Sequence, residues 1–156
     1  MYYTWITPDV AIGELSSSYN EFDTIVNLAY INPSVNRLEH GHIDIVSSNG
    51  KKIYRLGVYD SDNDLVLFSD LVEKVMDLTM GDKSDRILFH CQAGKSRSVC
   101  MALAYLCTDT KHAMTFENAL ELVKEKRPIV NPRHSFIEAV KRVITQRKAS
   151  PNVLEI

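Results

Sequence analysis

A chain of 156 residues, 45% hydrophobic and 24% charged, has the size of one ordinary domain with enough apolar sequence for a core. Its formal net charge of −2 excludes the global basic field of a nucleic-acid binder, so any anion recognition must be local. No basic-then-apolar N-terminal stretch reads as a signal peptide, and no apolar run approaches the ~20 residues of a membrane span. In chain order, DTIVNLAYI (23–31) is short, apolar and partly β-branched, the composition of a strand. Asn49-Gly50 separates two strand-like runs in HIDIVSSNGKKIYRLGV and predicts a hairpin. Leu65, Phe68, Leu71, Val72, Val75 and Met76 form a helical stripe over 65–80, with Asp64 as its cap and Gly81 as its end. RILFH (86–90) is a buried strand, followed by a loop and an apolar helix over 98–108. Thr115 caps an amphipathic helix over 115–127, and Pro128 lies beyond its far end. Asn131 and Pro132 suit the cap and first position of a last helix through about Lys148.

The N-terminal half is therefore strand-rich and the C-terminal half helical, around at least one strand–loop–helix unit. The expected fold is a single α/β domain over residues 1–148, with a central, mostly parallel twisted sheet flanked by helices. A loosely held tail, 149–156, follows. Three widely spaced cysteines give no disulfide framework. Cys100 and Cys107 stand seven residues apart in one helix, about 10 Å along its axis and too far to bridge. Cys91, Cys100, Cys107 and His112 lack the paired spacing of a zinc site, so no metal or other cofactor is expected. Reduced thiols point to a cytoplasmic or nuclear location.

The chemistry concentrates in RILFHCQAGKSRS (86–98). Gly94-Lys95-Ser96 matches the end of a nucleotide-binding loop, but the position of that loop's first glycine holds Phe89, which belongs to the apolar strand. The other pattern is a cysteine six positions before an arginine, Cys91 to Arg97, between a strand and a helix N-terminus. Amides from Gln92, Ala93, Gly94, Lys95, Ser96 and Arg97 can all turn inward there, at the positive end of the following helix. Gly94 supplies the backbone angles of a tight curl. Arg97 adds a planar fork for two phosphoryl oxygens. The same donors lower the pKa of the Cys91 thiol and make it a nucleophile toward phosphorus. Ser98 is placed to donate to the sulfur and help it leave.

HCQAGKSRS resembles the H-C-x-x-G-x-x-R-[ST] signature of cysteine-based protein phosphatases, and AGKSRS is most similar to the dual-specificity branch. IVNL, YRLGVYD and KRPIVNPRHSF resemble further family segments, so the likeness runs from about residue 5 to 145. It implies hydrolysis of phosphotyrosine and phosphoserine or phosphothreonine in protein partners through a phosphocysteine on Cys91. It also implies a general acid about thirty residues before the cysteine. Asp60, Asp62 and Asp64 compete for that role; Asp60, directly after LGVY, occupies the family position, and Asp64 is more simply a helix cap. His90 is expected to orient the loop rather than act as a base, and Asn27 to brace it from the neighbouring strand or stand as an ordinary strand-end residue. Lys95 is expected at the rim. Arg127 is a candidate for a secondary anion contact or else an exposed helix-end arginine.

The alternatives are the same chemistry on a phosphoinositide or RNA 5′-phosphate, or a non-catalytic phosphoprotein-binding module. Gln92 argues against lipid, where the family places a lysine; the near-neutral composition argues against RNA. The retained Cys91 and Arg97 argue against a module. A calcium loop at the aspartate trio fails at Leu65 and Leu71, where glycine and glutamate would be needed. An aspartyl-phosphatase motif fails at Asp64. Oligomeric state is not legible.

Overall fold

The computed structural model describes residues 2–29, 43–58, 65–81 and 86–149. Its strands are β1 (Tyr3–Trp5), β2 (Val10–Gly13), β3 (Thr24–Asn27), β4 (Ile43–Ser48), β5 (Lys51–Leu56) and β6 (Ile87–His90). Its helices are α1 (Leu65–Gly81), α2 (Arg97–Thr108), α3 (Phe116–Lys126) and α4 (His134–Ala149). The strands form one sheet in the order β1-β2-β6-β3-β5-β4. The three inner pairings, β2–β6, β6–β3 and β3–β5, are parallel, and the two outer ones are antiparallel.

Alternation along the strands assigns the two faces. Val10 and Ile12, Val26 and Leu28, Ile87 and Phe89 join the large core with residues of all four helices. Ala11, Ile25 and Leu88 point the other way, into a smaller cluster with Phe22, Tyr3, Trp5 and Tyr19. The described helices therefore stack on one face, and aromatic side chains cover the other. α2 runs through the middle of the helical layer and is buried from Arg97 to Cys107. That explains its nearly uninterrupted apolar sequence.

The Asn49-Gly50 turn forms as expected, with φ of 53° and 76° joining β4 to β5. Thr115 caps α3 by accepting from the Asn118 amide. The first thirteen residues contribute two strands not predicted from the sequence, and β2 lies directly beside β6. One expectation is corrected. α4 begins at His134 rather than at Pro132: the first helical bond runs from the Ile137 amide to Arg133 O, which makes Arg133 the cap residue, while the amides of Asn131 and Arg133 tie the preceding segment to Lys95 O and Ser96 Oγ. The Asp64 cap, the 30–31 end of the first predicted strand and the tail from 150 lie outside the described residues.

Candidate active site

Gly13, His90 and Asn27 are register partners at the carboxyl ends of β2, β6 and β3. The loop from Cys91 to Ser96 leaves the sheet at this level, where α/β sheets place their ligands, and feeds into α2. It forms one wall of a cleft of about 640 Å³ lined by Cys91, Gln92, Lys95, Arg97, Asn131 and Arg133 among others.

The loop's shape follows from where its carbonyls go. Cys91 O faces His90 Nδ1 at 3.4 Å, and Gln92 O accepts from the Leu15 amide at 3.0 Å. Ala93 O and Gly94 O face Arg127 Nη2 and Nε at 3.5 and 2.9 Å. Lys95 O accepts from the Asn131 amide at 2.8 Å, and Ser96 O from the Cys100 amide at 2.9 Å. Every carbonyl from Cys91 to Ser96 thus faces a protein donor, Asn131 at the cleft wall and the others away from its lining. A trans peptide plane carries its carbonyl and the next N–H on opposite sides. Tying the carbonyls outward therefore turns the following amides inward. Among the described residues, none of the amides of Gln92 through Arg97 donates to a backbone carbonyl. Ser96, at the N-cap of α2, makes no side-chain cap bond; its hydroxyl accepts from the Arg133 amide instead. The Arg97 amide at the start of α2 thus stays free for an anion, while the Ser98 amide turns to the Cys91 sulfur.

Gly94 has φ of 66°, and a Cβ there would stand 2.7 Å from Gly13 O and 2.6 Å from Arg127 Nη2. Only glycine fits both the angle and the gap.

Cys91 sits at the floor of the cleft with 3% exposure. Burial pushes its thiol pKa up, but hydrogen bonds from the Ser98 hydroxyl and amide, the Arg97 charge and the Gly94 amide outweigh it, and the net direction is down. The Ser98 Oγ lies 3.2 Å from the sulfur. Arg97 Nη1 donates to Leu28 O at 3.0 Å and Val58 O at 2.8 Å. Its Nε is buried and has no protein partner among the described residues. A buried guanidinium with an unused N–H beside a nucleophile is a receptor for an oxyanion.

His90 is fully buried, and burial drives its pKa down to about 4, so the ring is neutral at physiological pH. Its Nδ1 faces only the Cys91 carbonyl and carries the proton, so Nε2 accepts from the Tyr19 hydroxyl at 2.6 Å. Both His90 and Asn27 act at one remove. Asn27 Oδ1 accepts from the Ala29 amide at 2.8 Å rather than from the loop, fixing the turn that presents Leu28 O to Arg97. Lys95 is exposed at the rim, as expected.

Arg127 requires correction. It is 4% exposed and its fork is turned to the loop carbonyls and Thr4 Oγ1, so it is neither a helix-end surface arginine nor available to a second anion. Tyr19, Leu15 and Thr4 were missed altogether; no local pattern marks them. Asp60 and Asp62 lie outside the described residues. Cys100 and Cys107 are buried in α2, and burial pushes the Cys107 thiol up to about 11, away from reactivity.

A family model described as the dual specificity phosphatase catalytic domain matches residues 6–146. The chain belongs to the dual specificity phosphatase family. It is 31% identical over 136 residues to dual specificity protein phosphatase 1-A of Xenopus laevis, covering 85% of this chain and 34% of that protein. A probable dual specificity protein phosphatase of Dictyostelium discoideum is 32% identical over 111 residues, covering 67% and 27%. The chain thus spans only about a third or less of the length of the curated relatives it matches. Human DUSP28 superposes with a TM-score of 0.69 at 17% identity, covering 95% of this chain and 96% of that one, which shows the same fold.

Proposed function

We propose that this phosphatase-family chain is a protein phosphatase acting on phosphotyrosine and on phosphoserine or phosphothreonine through a phosphocysteine on Cys91. The observation that carries this reading is the outward tethering of all six carbonyls around a sulfur whose pKa is driven down. Inward amides and Arg97 grip three phosphoryl oxygens and gain strength as the phosphoryl group becomes planar in the transition state. The Cys91 thiolate attacks phosphorus opposite the leaving oxygen. The S–P bond forms as the P–O bond breaks, and its electron pair passes to the leaving oxygen. Asp60 supplies the proton to that oxygen, then accepts one from water as water attacks the phosphocysteine, each role worth about 10²–10⁴-fold. The S–P electrons return to sulfur, and Ser98 stabilises the departing thiolate.

Turnover of para-nitrophenyl phosphate, a phosphotyrosine peptide and a phosphothreonine peptide, with chelator present, tests the proposal. Hydrolysis of all three is expected. No turnover of any of them by folded wild-type protein would replace the enzyme with a phosphoprotein-binding module; loss of only the phosphothreonine activity would make it tyrosine-specific.

A further inference from the structure

Arg127 is the C-cap residue of α3 and is not among the residues that line the cleft. Its Nε donates to Gly94 O at 2.9 Å, its Nη2 faces Ala93 O at 3.5 Å, and its Nη1 donates to Thr4 Oγ1 at 2.8 Å. One guanidinium thus joins β1, α3 and the two central peptide planes of the loop. The Ala93–Gly94 plane aims the Gly94 amide, which bonds the Cys91 sulfur, and the Gly94–Lys95 plane aims the Lys95 amide.

We propose that Arg127 is a positioning residue for the phosphatase reaction, holding the Ala93 and Gly94 carbonyls outward so that the next two amides face the nucleophile and the phosphoryl group. The inference rests on the catalytic role proposed for Cys91. Two further observations support it. The near-contact of a hypothetical Gly94 Cβ with Arg127 Nη2, at 2.6 Å, shows that the loop and the guanidinium are packed with no slack. Burial lowers the Arg127 pKa while the charges of Glu14 and Cys91 raise it, so its cation and the thiolate act on one another. Among the described residues, the charged and titrating groups that act on the sulfur or on this guanidinium are Arg97, Arg127, Glu14 and the neutral His90, with the Ser98 hydroxyl as the sulfur's neutral donor.

A lysine at 127 has the charge but not the fork, and reaches one carbonyl at most. A methionine has neither. The test measures the rate of Cys91 alkylation by iodoacetamide against pH, and the Kd of orthovanadate, in wild type, Arg127→Lys, Arg127→Met and Thr4→Val. Alkylation is read by mass spectrometry on the segment bearing Cys91, since Cys107 is no more buried than Cys91 and is set apart by a thiol pushed up to about 11. Val143→Ala, a core substitution in α4, serves as a control for simple loss of stability. Arg127→Met should raise the Cys91 pKa by about one unit and weaken vanadate about tenfold or more. Arg127→Lys should fall between it and wild type, and Thr4→Val should shift both in the same direction by less. Val143→Ala should move the melting temperature and neither of the other readouts. If Arg127→Met does not fold, Arg127→Lys and Thr4→Val decide. Unchanged alkylation profiles and vanadate affinity in the folded variants, or equal shifts in Val143→Ala, overturn the proposal. Neither readout needs turnover, so a protein whose vanadate affinity depends on Arg127 but which never hydrolyses substrate would sink the catalytic reading alone.

Discussion

The Cys91 sulfur stands 3.2 Å from the Ser98 hydroxyl, which lies one residue past Arg97 and inside the first turn of α2. In the proposed mechanism this bond would stabilise the thiolate both before attack and when water displaces it. Ser98→Ala should slow breakdown of the phosphocysteine more than its formation. Stopped-flow traces with para-nitrophenyl phosphate should show a product burst followed by a steady rate reduced about tenfold or more. A uniform loss with no burst would place Ser98 only in ionisation of the thiol.

Gly94→Ala combines a left-handed φ with a Cβ forced to 2.7 Å from a backbone oxygen. Destabilisation of more than about 2 kcal/mol is expected in chemical denaturation, together with loss of vanadate binding. A folded variant with wild-type affinity would mean that the loop needs no such curl.

His90 gives a pH signature. Its folded pKa is about 4, against an ordinary 6.5, so the unfolded chain takes up a proton that the folded one refuses. That stabilisation is complete above pH 6.5 and is lost as pH falls through 6.5 toward 4. His90→Gln should flatten this part of the stability curve. Tyr19→Phe removes the donor to His90 Nε2 and should cost about 1–3 kcal/mol. Equilibrium unfolding at stepped pH checks both.

Asp9 behaves likewise at lower pH. Burial opposes its ionisation, but hydrogen bonds from Thr7, Lys111 and His112 outweigh it and hold the carboxyl at about 2, below the ordinary 3.8. Its contribution is present above pH 3.8 and disappears as pH falls toward 2. Asp9→Asn should cost about 1–2 kcal/mol at neutral pH and nothing near the acid end of the range. A constant difference at all pH values would assign the loss to packing.

Asp60→Ala should lower kcat about 10²-fold or more and abolish the alkaline limb of the pH–rate profile. Unchanged behaviour would transfer the acid/base role to Asp62, its neighbour two positions along.

The loop was legible because its parts are consecutive: a strand, a glycine at the curl, an arginine and a serine at the helix start all fall between residues 86 and 98. The groups that give the loop its shape were not. Tyr19 meets His90 across 71 positions, Arg127 meets Gly94 across 33 and Thr4 across 123, and no local periodicity encodes such pairs. β1 and β2, at three and four residues, are too short for alternation to mark them. Asn131-Pro132 has the chemistry of a helix start, but this segment is tied to the loop through the amides of Asn131 and Arg133, and the helical bonds begin only with Ile137 donating to Arg133 O.

The most direct test is a rapid denaturing quench of wild-type protein during turnover of a phosphotyrosine peptide, with mass spectrometry of the segment bearing Cys91. One phosphoryl group on Cys91 is predicted, more abundant in Ser98→Ala and absent, with all turnover, from Cys91→Ser. Phosphate carried on another side chain, or near wild-type turnover by Cys91→Ser, would contradict the account.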